Sequence, residues 1–111
     1  METENPDIQG SIIVSIQGLP ICSTLSRDTN YEIVSAICAA ILAMSKHAVE
    51  ELVCGKLKRI LIDGVDGKII LSKAGPNSIL CMLVKNDASL EDIFQYFNNK
   101  PPKMKEAAYI E

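Results

Sequence analysis

Asp63 and Asp66 are the residues whose setting first suggests chemistry. They lie in "RILIDGVDGKIIL", Arg59 to Leu71, where two aspartates and two glycines interrupt an apolar run. A loop of carboxylates and glycines can hold a divalent cation or a phosphate, so the spacing decides. The phosphate-binding pattern needs four residues between its first glycine and Gly-Lys, then Ser or Thr; here Gly64 stands too close and Ile69 follows Lys68. With Gly67 as the glycine of a calcium loop, the first ligand would be Ile62. Two carboxylates alone are too few for a calcium cage. Asp66–Gly67 between apolar runs is instead the preferred pair for a two-residue type I′ hairpin turn. The stretch is therefore read as a corner between two strands.

Other reactive groups give no stronger pattern. Cys22, Cys38, Cys54 and Cys81 show no CxxC spacing, and His47 is the single histidine, a poor set for zinc. Each cysteine lies in an apolar segment, where a free thiol behaves as a small hydrophobe. Reduced, buried or interfacial thiols are expected, which suits a cytoplasmic protein. The carboxylate pairs Glu50–Glu51 and Glu91–Asp92 fall on helical segments, where adjacent side chains point apart. No serine, histidine and aspartate are arranged around a nucleophile elbow. No catalytic residue, metal or cofactor is assigned, and the chain is read as a non-enzyme.

The elements that carry these residues follow from periodicity. Ile8 to Ile16 is β-branched and reads as a strand with Ile12, Val14 and Ile16 on one face. "LPICSTLS" is a shorter strand, placed at a sheet edge because Pro20 cannot donate to a ladder. Thr29 and Glu32 have the spacing of a capping box. A long helix over residues 30–54 follows, with Gly55 as its left-handed stop. Three strands come next: "KLKRILID" over 56–63, "KIILS" and "SILCMLVK". The last is apolar on both faces, the mark of a central strand covered on both sides. "SLEDIFQYFNNK" is a short helix capped by Ser89 and stopped by Pro101–Pro102. The result is an α+β domain in ββαβββα order: a five-stranded, mainly antiparallel sheet with one long helix on one face and a short C-terminal helix. Residues 1–7 are set off as a flexible N-terminus, 8–100 as the domain and 101–111 as a mobile tail.

On a helical projection, Ile33, Val34, Ile37, Cys38, Ile41, Leu42, Met44, Val49 and Leu52 form one apolar arc, expected to cover the sheet. Glu32, Ser35, Lys46 and Glu50 would face water or a partner. Ala36, Ala40 and Ala43, with His47 next in line, form a flank small enough for a second helix to approach; alanine is equally the best helix former. The helix would span about 37 Å against about 26 Å for an eight-residue strand, so part of it should overhang its sheet.

The chain has 111 residues with 48% apolar and 23% charged positions, a soluble, single-domain composition. Its net charge of −3 argues against nucleic acid as the main partner. No basic, apolar, small-residue opening marks a signal peptide. The longest unbroken apolar run, Ala36 to Met44, is nine residues, against the ~20 needed to span a bilayer, so no membrane insertion is expected.

Taken in order, "GLPICSTLS", the Ala-rich helix and "AVEELVCGKLKRILIDGVDGKIILSKAGPNSILCMLV" resemble a roadblock-type domain over roughly Ile8 to Lys100. This is the family of dynein roadblock light chains and of bacterial regulators and lysosomal scaffolds of small Ras-like GTPases. The resemblance implies that the strand after the long helix lies at an edge and pairs with its copy across a two-fold axis, the long helices side by side. On that model the strand contact is Leu57, Arg59, Ile60, Leu61 and Ile62, and Ala36, Ala40, Ala43 and His47 lie near the helix contact. It further implies a non-catalytic homodimer that binds a GTPase or scaffolds its complex, for which Glu32, Ser35, Ala39, Lys46 and Glu50 are the expected surface. The family usually has a helix before its first strand; here it is missing from the seven residues before Ile8, which leaves part of the second sheet face open. A different class of function, a small-ligand or sensor/adaptor module of PAS-like or profilin-like architecture, fits the same element order.

Overall fold

A computed structural model describes residues 7–99 and 108–109. The elements are β1 (Ile8–Ser15), β2 (Pro20–Ser23), α1 (Tyr31–Glu51), β3 (Arg59–Asp63), β4 (Lys68–Gly75), β5 (Ser78–Val84), α2 (Leu90–Asn99) and β6 (Ala108–Tyr109). The strands form one antiparallel sheet in the order β3-β4-β5-β1-β2-β6. The five main strands, the long helix and the short C-terminal helix are those expected from the sequence. The sheet gains a two-residue sixth strand, in which Ala108 and Tyr109 pair with Ser23 and Cys22. β2 is thereby not the outermost strand, and this corrects its assignment to an edge. The rest of the 101–111 tail, and most of residues 1–7, lie outside the described residues.

Side chains alternate across the sheet, and each face collects its own core. On one face Ile12 and Val14 of β1, Leu71 of β4, and Ile79 and Cys81 of β5 pack with Cys38 and Leu42 of α1. On the other, Ile70, Leu80, Met82 and Val84 pack with Ile8 and with Ile93 of α2. β5 feeds both cores, so its central position and two apolar faces go together. Ser89 caps α2, its Oγ accepting from the Asp92 N–H at 3.3 Å. Ile16 falls beyond β1 and is 41% exposed.

Both ends of α1 differ from the sequence expectation. The N-cap is Asn30, whose Oδ1 accepts from the Ile33 N–H at 3.1 Å, in place of a capping box on Thr29. The helix ends at Glu51, not 54, in a Schellman motif: Cys54 N–H donates to Val49 O at 2.8 Å and Val53 N–H to Glu50 O at 3.2 Å. The left-handed residue that closes this motif is Val53, φ 55°. Gly55 is also left-handed, φ 83°, but stands two residues later.

The rotation of α1 is the larger correction. Cys38 and Leu42 of the expected arc are buried, but so is Ser35, while Ile33, Ile37, Met44 and Leu52 are 56%, 52%, 70% and 74% exposed. The helix carries two apolar stripes, and its inner one contains small residues because the helix lies close over β1, β2 and β5. Ser35 is fully buried and is withdrawn from the partner surface. Part of the alanine flank has an internal explanation: a Cβ on Gly18 in the β1–β2 turn would lie 3.4 Å from Ala36 Cα and 3.6 Å from Ala39 Cβ. By length and composition α1 is apolar enough to cross a membrane, an 18-residue window within it reaching mean hydropathy 1.5. Scanning for an unbroken apolar run misses this, because polar residues such as Ser35 and Ser45–His47 interrupt it.

Candidate interaction surface

Three features stand out: the edge of β3, a cleft between β3 and α1, and the outer stripe of α1. β3 pairs only with β4 among the described residues, in the register Arg59↔Ser72, Leu61↔Ile70 and Asp63↔Lys68. An edge strand presents a row of unpaired N–H and C=O groups. Strand pairing begins at Arg59, so Leu57 of the expected 56–63 strand lies in the lead-in, half-buried against the α1-side core. Ile60 and Ile62 turn to that core, while Leu61 is 42% exposed. The Arg59 guanidinium lies 4.2 Å from the centroid of the Phe94 ring, a cation–π contact that ties β3 to α2.

The corner after β3 is held by hydrogen bonds. Gly64 N–H donates to Gly67 O at 2.9 Å, Asn86 Nδ2 donates to Val65 O at 3.1 Å, and Lys68 Nζ donates to Asn86 O. Lys68 Nζ also lies 3.5 Å from Asp63 Oδ1. The two residues at the turn are Val65 and Asp66, and neither has a positive φ. This corrects the type I′ turn expected at Asp66–Gly67. Gly64 is required for close approach: a Cβ there would meet Gly67 O at 2.7 Å. Val65 is 89% exposed at the tip, between the two aspartates.

Between the C-terminal half of α1 and the β3–β4 pair lies a cleft of about 420 Å³. Leu42, Val49, Leu57 and Leu71 give it an apolar floor, and Lys46, Lys56, Lys58 and Lys73 bring positive charge, with Glu50 the acidic residue among them. The outer stripe of α1 runs Ile33, Ile37, Ala40, Met44, His47 and Glu51, spaced four and three residues alternately. All six are exposed, and His47 Nε2 lies 3.7 Å from Glu51 Oε1. That spacing is the seam of a helix that packs on another helix. Ala36 and Ala43 are exposed beside it; Glu32, Lys46 and Glu50 lie exposed on a flank, and Ala39 is half-buried.

The cysteines divide into two groups. Cys22, Cys38 and Cys81 are buried free thiols, whereas Cys54 is exposed past the end of α1. A hydrogen bond between the Cys38 and Cys81 thiols pushes Cys81 well above the ordinary thiol range, with burial adding to the effect, and lowers Cys38. Burial pushes Cys22 up, partly offset by a backbone hydrogen bond at Ile13. The sequence reading missed the cleft and the second apolar stripe. The lysines at 56, 58 and 73 were visible, but their convergence depends on the β3–β4 pairing.

The chain is similar to two uncharacterised proteins of Methanocaldococcus jannaschii, each 29% identical over 75 residues, 68% of this chain and 66% of theirs. It thus spans just under two thirds of the length of these relatives. Among solved structures, a Roadblock/LC7 domain from Streptomyces avermitilis superposes with TM-score 0.71 at 17% identity, covering 82% of this chain and 76% of that one. MglB of Myxococcus xanthus superposes with TM-score 0.78 at 13% identity, covering 87% and 80%. At these identities the superpositions establish the fold. The family model described as Roadblock/LC7 domain matches residues 3–84, from before β1 to the end of β5, and the chain belongs to the Roadblock/LC7 domain family.

Proposed function

We propose that this chain is a non-catalytic, homodimeric, cytoplasmic module that binds or regulates a small Ras-like GTPase, or scaffolds a complex containing one. The observation that carries the reading is the outer stripe of α1: a helix of a Roadblock/LC7 domain that exposes Ile33, Ile37 and Met44 at helix-packing spacing, in a domain whose β3 is an open sheet edge. Exposed apolar surface of this order marks an interaction site. A second copy covers it by pairing β3 with β3 and laying α1 beside α1, with Ala36, Ala40, Ala43 and His47 at the helix contact. The GTPase then meets Glu32, Lys46 and Glu50 on the exposed flank, with Ala39 at its edge. Likeness of fold to MglB, and the four free thiols, which suit a reducing compartment, support the reading.

The test is a binding and hydrolysis assay against the small GTPases of the source organism, each loaded with GDP or a non-hydrolysable GTP analogue. Binding that depends on the nucleotide, weakened by Lys46→Glu with Glu50→Lys, is expected. Absence of binding to every GTPase in both states would overturn the assignment.

A further inference from the structure

We propose that β3 pairs with β3 of a second copy with Leu61 on the two-fold axis, and that the Asp63–Asp66 corner of each copy locks this register against the Lys56–Arg59 lead-in of the other. The proposal rests on the reading that the chain self-associates through β3, and adds which residues meet and why no other register competes.

Directly opposed residues of an antiparallel pair point to the same face. On β3, Ile60 and Ile62 face the α1-side core, and Arg59 faces α2, so Leu61 and Asp63 by alternation share the α2 side. A continuous sheet with both long helices on one side must match like faces, which puts a residue of β3 on the axis. With the axis on Leu61, Ile60 opposes Ile62 and Arg59 opposes Asp63 of the second copy. Beyond the strand the same register brings the Lys56–Lys58 lead-in alongside the Gly64–Asp66 corner. Within the strand every pair joins apolar to apolar or positive to negative.

The neighbouring registers do not. With the axis on Ile60, Leu57 opposes Asp63, Lys58 opposes Ile62 and Arg59 opposes Leu61. With the axis on Ile62, Leu61 opposes Asp63 and Arg59 opposes Val65. An axis on Arg59 or Asp63 sets like charges face to face, which is destabilising. Charge complementarity thus selects one register.

The corner and its receptor carry opposite charges. Val65 is exposed at the tip of a turn fixed by the Gly64–Gly67 and Asn86–Val65 hydrogen bonds, flanked by two carboxylates. The cleft behind Leu57 offers an apolar floor beside Lys56, Lys58 and Lys73. A turn already held in place loses little conformational freedom on docking.

The experiment begins with light scattering of the unchanged chain. A monomer at micromolar concentration sinks the self-association reading itself; a dimer passes to the register test. In a Cys54→Ser background, Ile60→Cys, Leu61→Cys and Ile62→Cys are oxidised singly, and dimers are read on non-reducing gels. Opposed residues lie about 4.5–5.5 Å apart between Cα atoms, within disulfide reach. One residue off the axis, like positions lie about 8 Å apart, beyond it. The expected result is self-crosslinking of Leu61→Cys alone, with Ile60→Cys and Ile62→Cys crosslinking only when mixed. Self-crosslinking at position 60 or 62, or none at all in a chain that remains dimeric, overturns the register. As an independent readout, Lys56→Glu with Arg59→Glu, and separately Asp63→Lys with Asp66→Lys, should each weaken self-association by about tenfold or more. A mixture of the two should associate as heterodimers with the unchanged chain's affinity; failure of the mixture to recover would also overturn it.

Discussion

Replacing Ser35 with alanine should stabilise the protein. Ser35 lies on the inner stripe of α1 at 0% exposure, and its Oγ has no hydrogen-bond partner among the described residues. Burying a hydroxyl without a partner costs about 1–3 kcal/mol of desolvation. Alanine removes that cost and gains a few tenths of a kcal/mol, roughly 0.5 at most, in helix propensity. Against this stands the dispersion lost with one oxygen atom, a few contacts of about 0.1–0.2 kcal/mol each. The net expectation for Ser35→Ala is a stabilisation of about 1–2 kcal/mol, each kcal/mol raising Tm by about 4–8 °C for a domain of this size. Urea unfolding followed by far-UV circular dichroism measures it, at two or more protein concentrations because association adds to apparent stability. Ser45→Ala, at a half-buried position of the same helix, reports the propensity gain alone. If Ser35→Ala is no more stable than the unchanged chain while Ser45→Ala gains its few tenths, the hydroxyl has a partner and the packing of α1 has been misread.

Three further outcomes are expected. Val53→Gly should stabilise by about 1 kcal/mol, because Val53 is left-handed at φ 55° and 90% exposed, so glycine relieves backbone strain and sacrifices little packing; urea midpoints check this, and a loss of stability would contradict the Schellman closure. Leu42→Ala should cost about 2–5 kcal/mol, since Leu42 is 5% exposed, whereas Ile37→Ala should leave the dissociated chain within about 1 kcal/mol; equal losses measured at low protein concentration would mean that both stripes are buried in one chain. Maleimide labelling of the native protein should modify Cys54 rapidly and the other thiols slowly, with all four labelled after denaturation; rapid native labelling of two or more, read by intact mass, would place another thiol at the surface.

Much of the architecture was legible because the signals that set it are local. The β-branched run of β1, the two-faced apolar pattern of β5 and the Ser89 cap of α2 specify strand, centre and helix start without reference to the rest of the chain. The rotation of α1 was not legible. Its two apolar stripes adjoin on a projection and read as one arc, from Ile33, Ile37 and Met44 round to Cys38 and Leu42, with Ser35 left outside it. The structure chooses the stripe with Ser35, Cys38 and Leu42, where small side chains let the helix settle onto the sheet and against Gly18. That choice depends on the distance between elements, which no single segment encodes. The corner at Gly64–Gly67 was correctly read as a hairpin, but one residue late, because Asp-Gly is the stronger turn signal and the ladder to β4 shifts the turn to Val65–Asp66. The cleft was invisible for a related reason: Lys46, Lys58 and Lys73 lie on three segments that only the sheet order brings together.

The most direct test of the account is the mass of the unchanged chain in solution by multi-angle light scattering at micromolar concentration. A module built to pair through β3 should weigh twice the 12.1 kDa chain, and Leu61→Asp, which sets two carboxylates face to face at the axis, should return it to one chain's mass while the fold persists by circular dichroism. A monomeric unchanged chain, or a Leu61→Asp variant that remains dimeric, would contradict it.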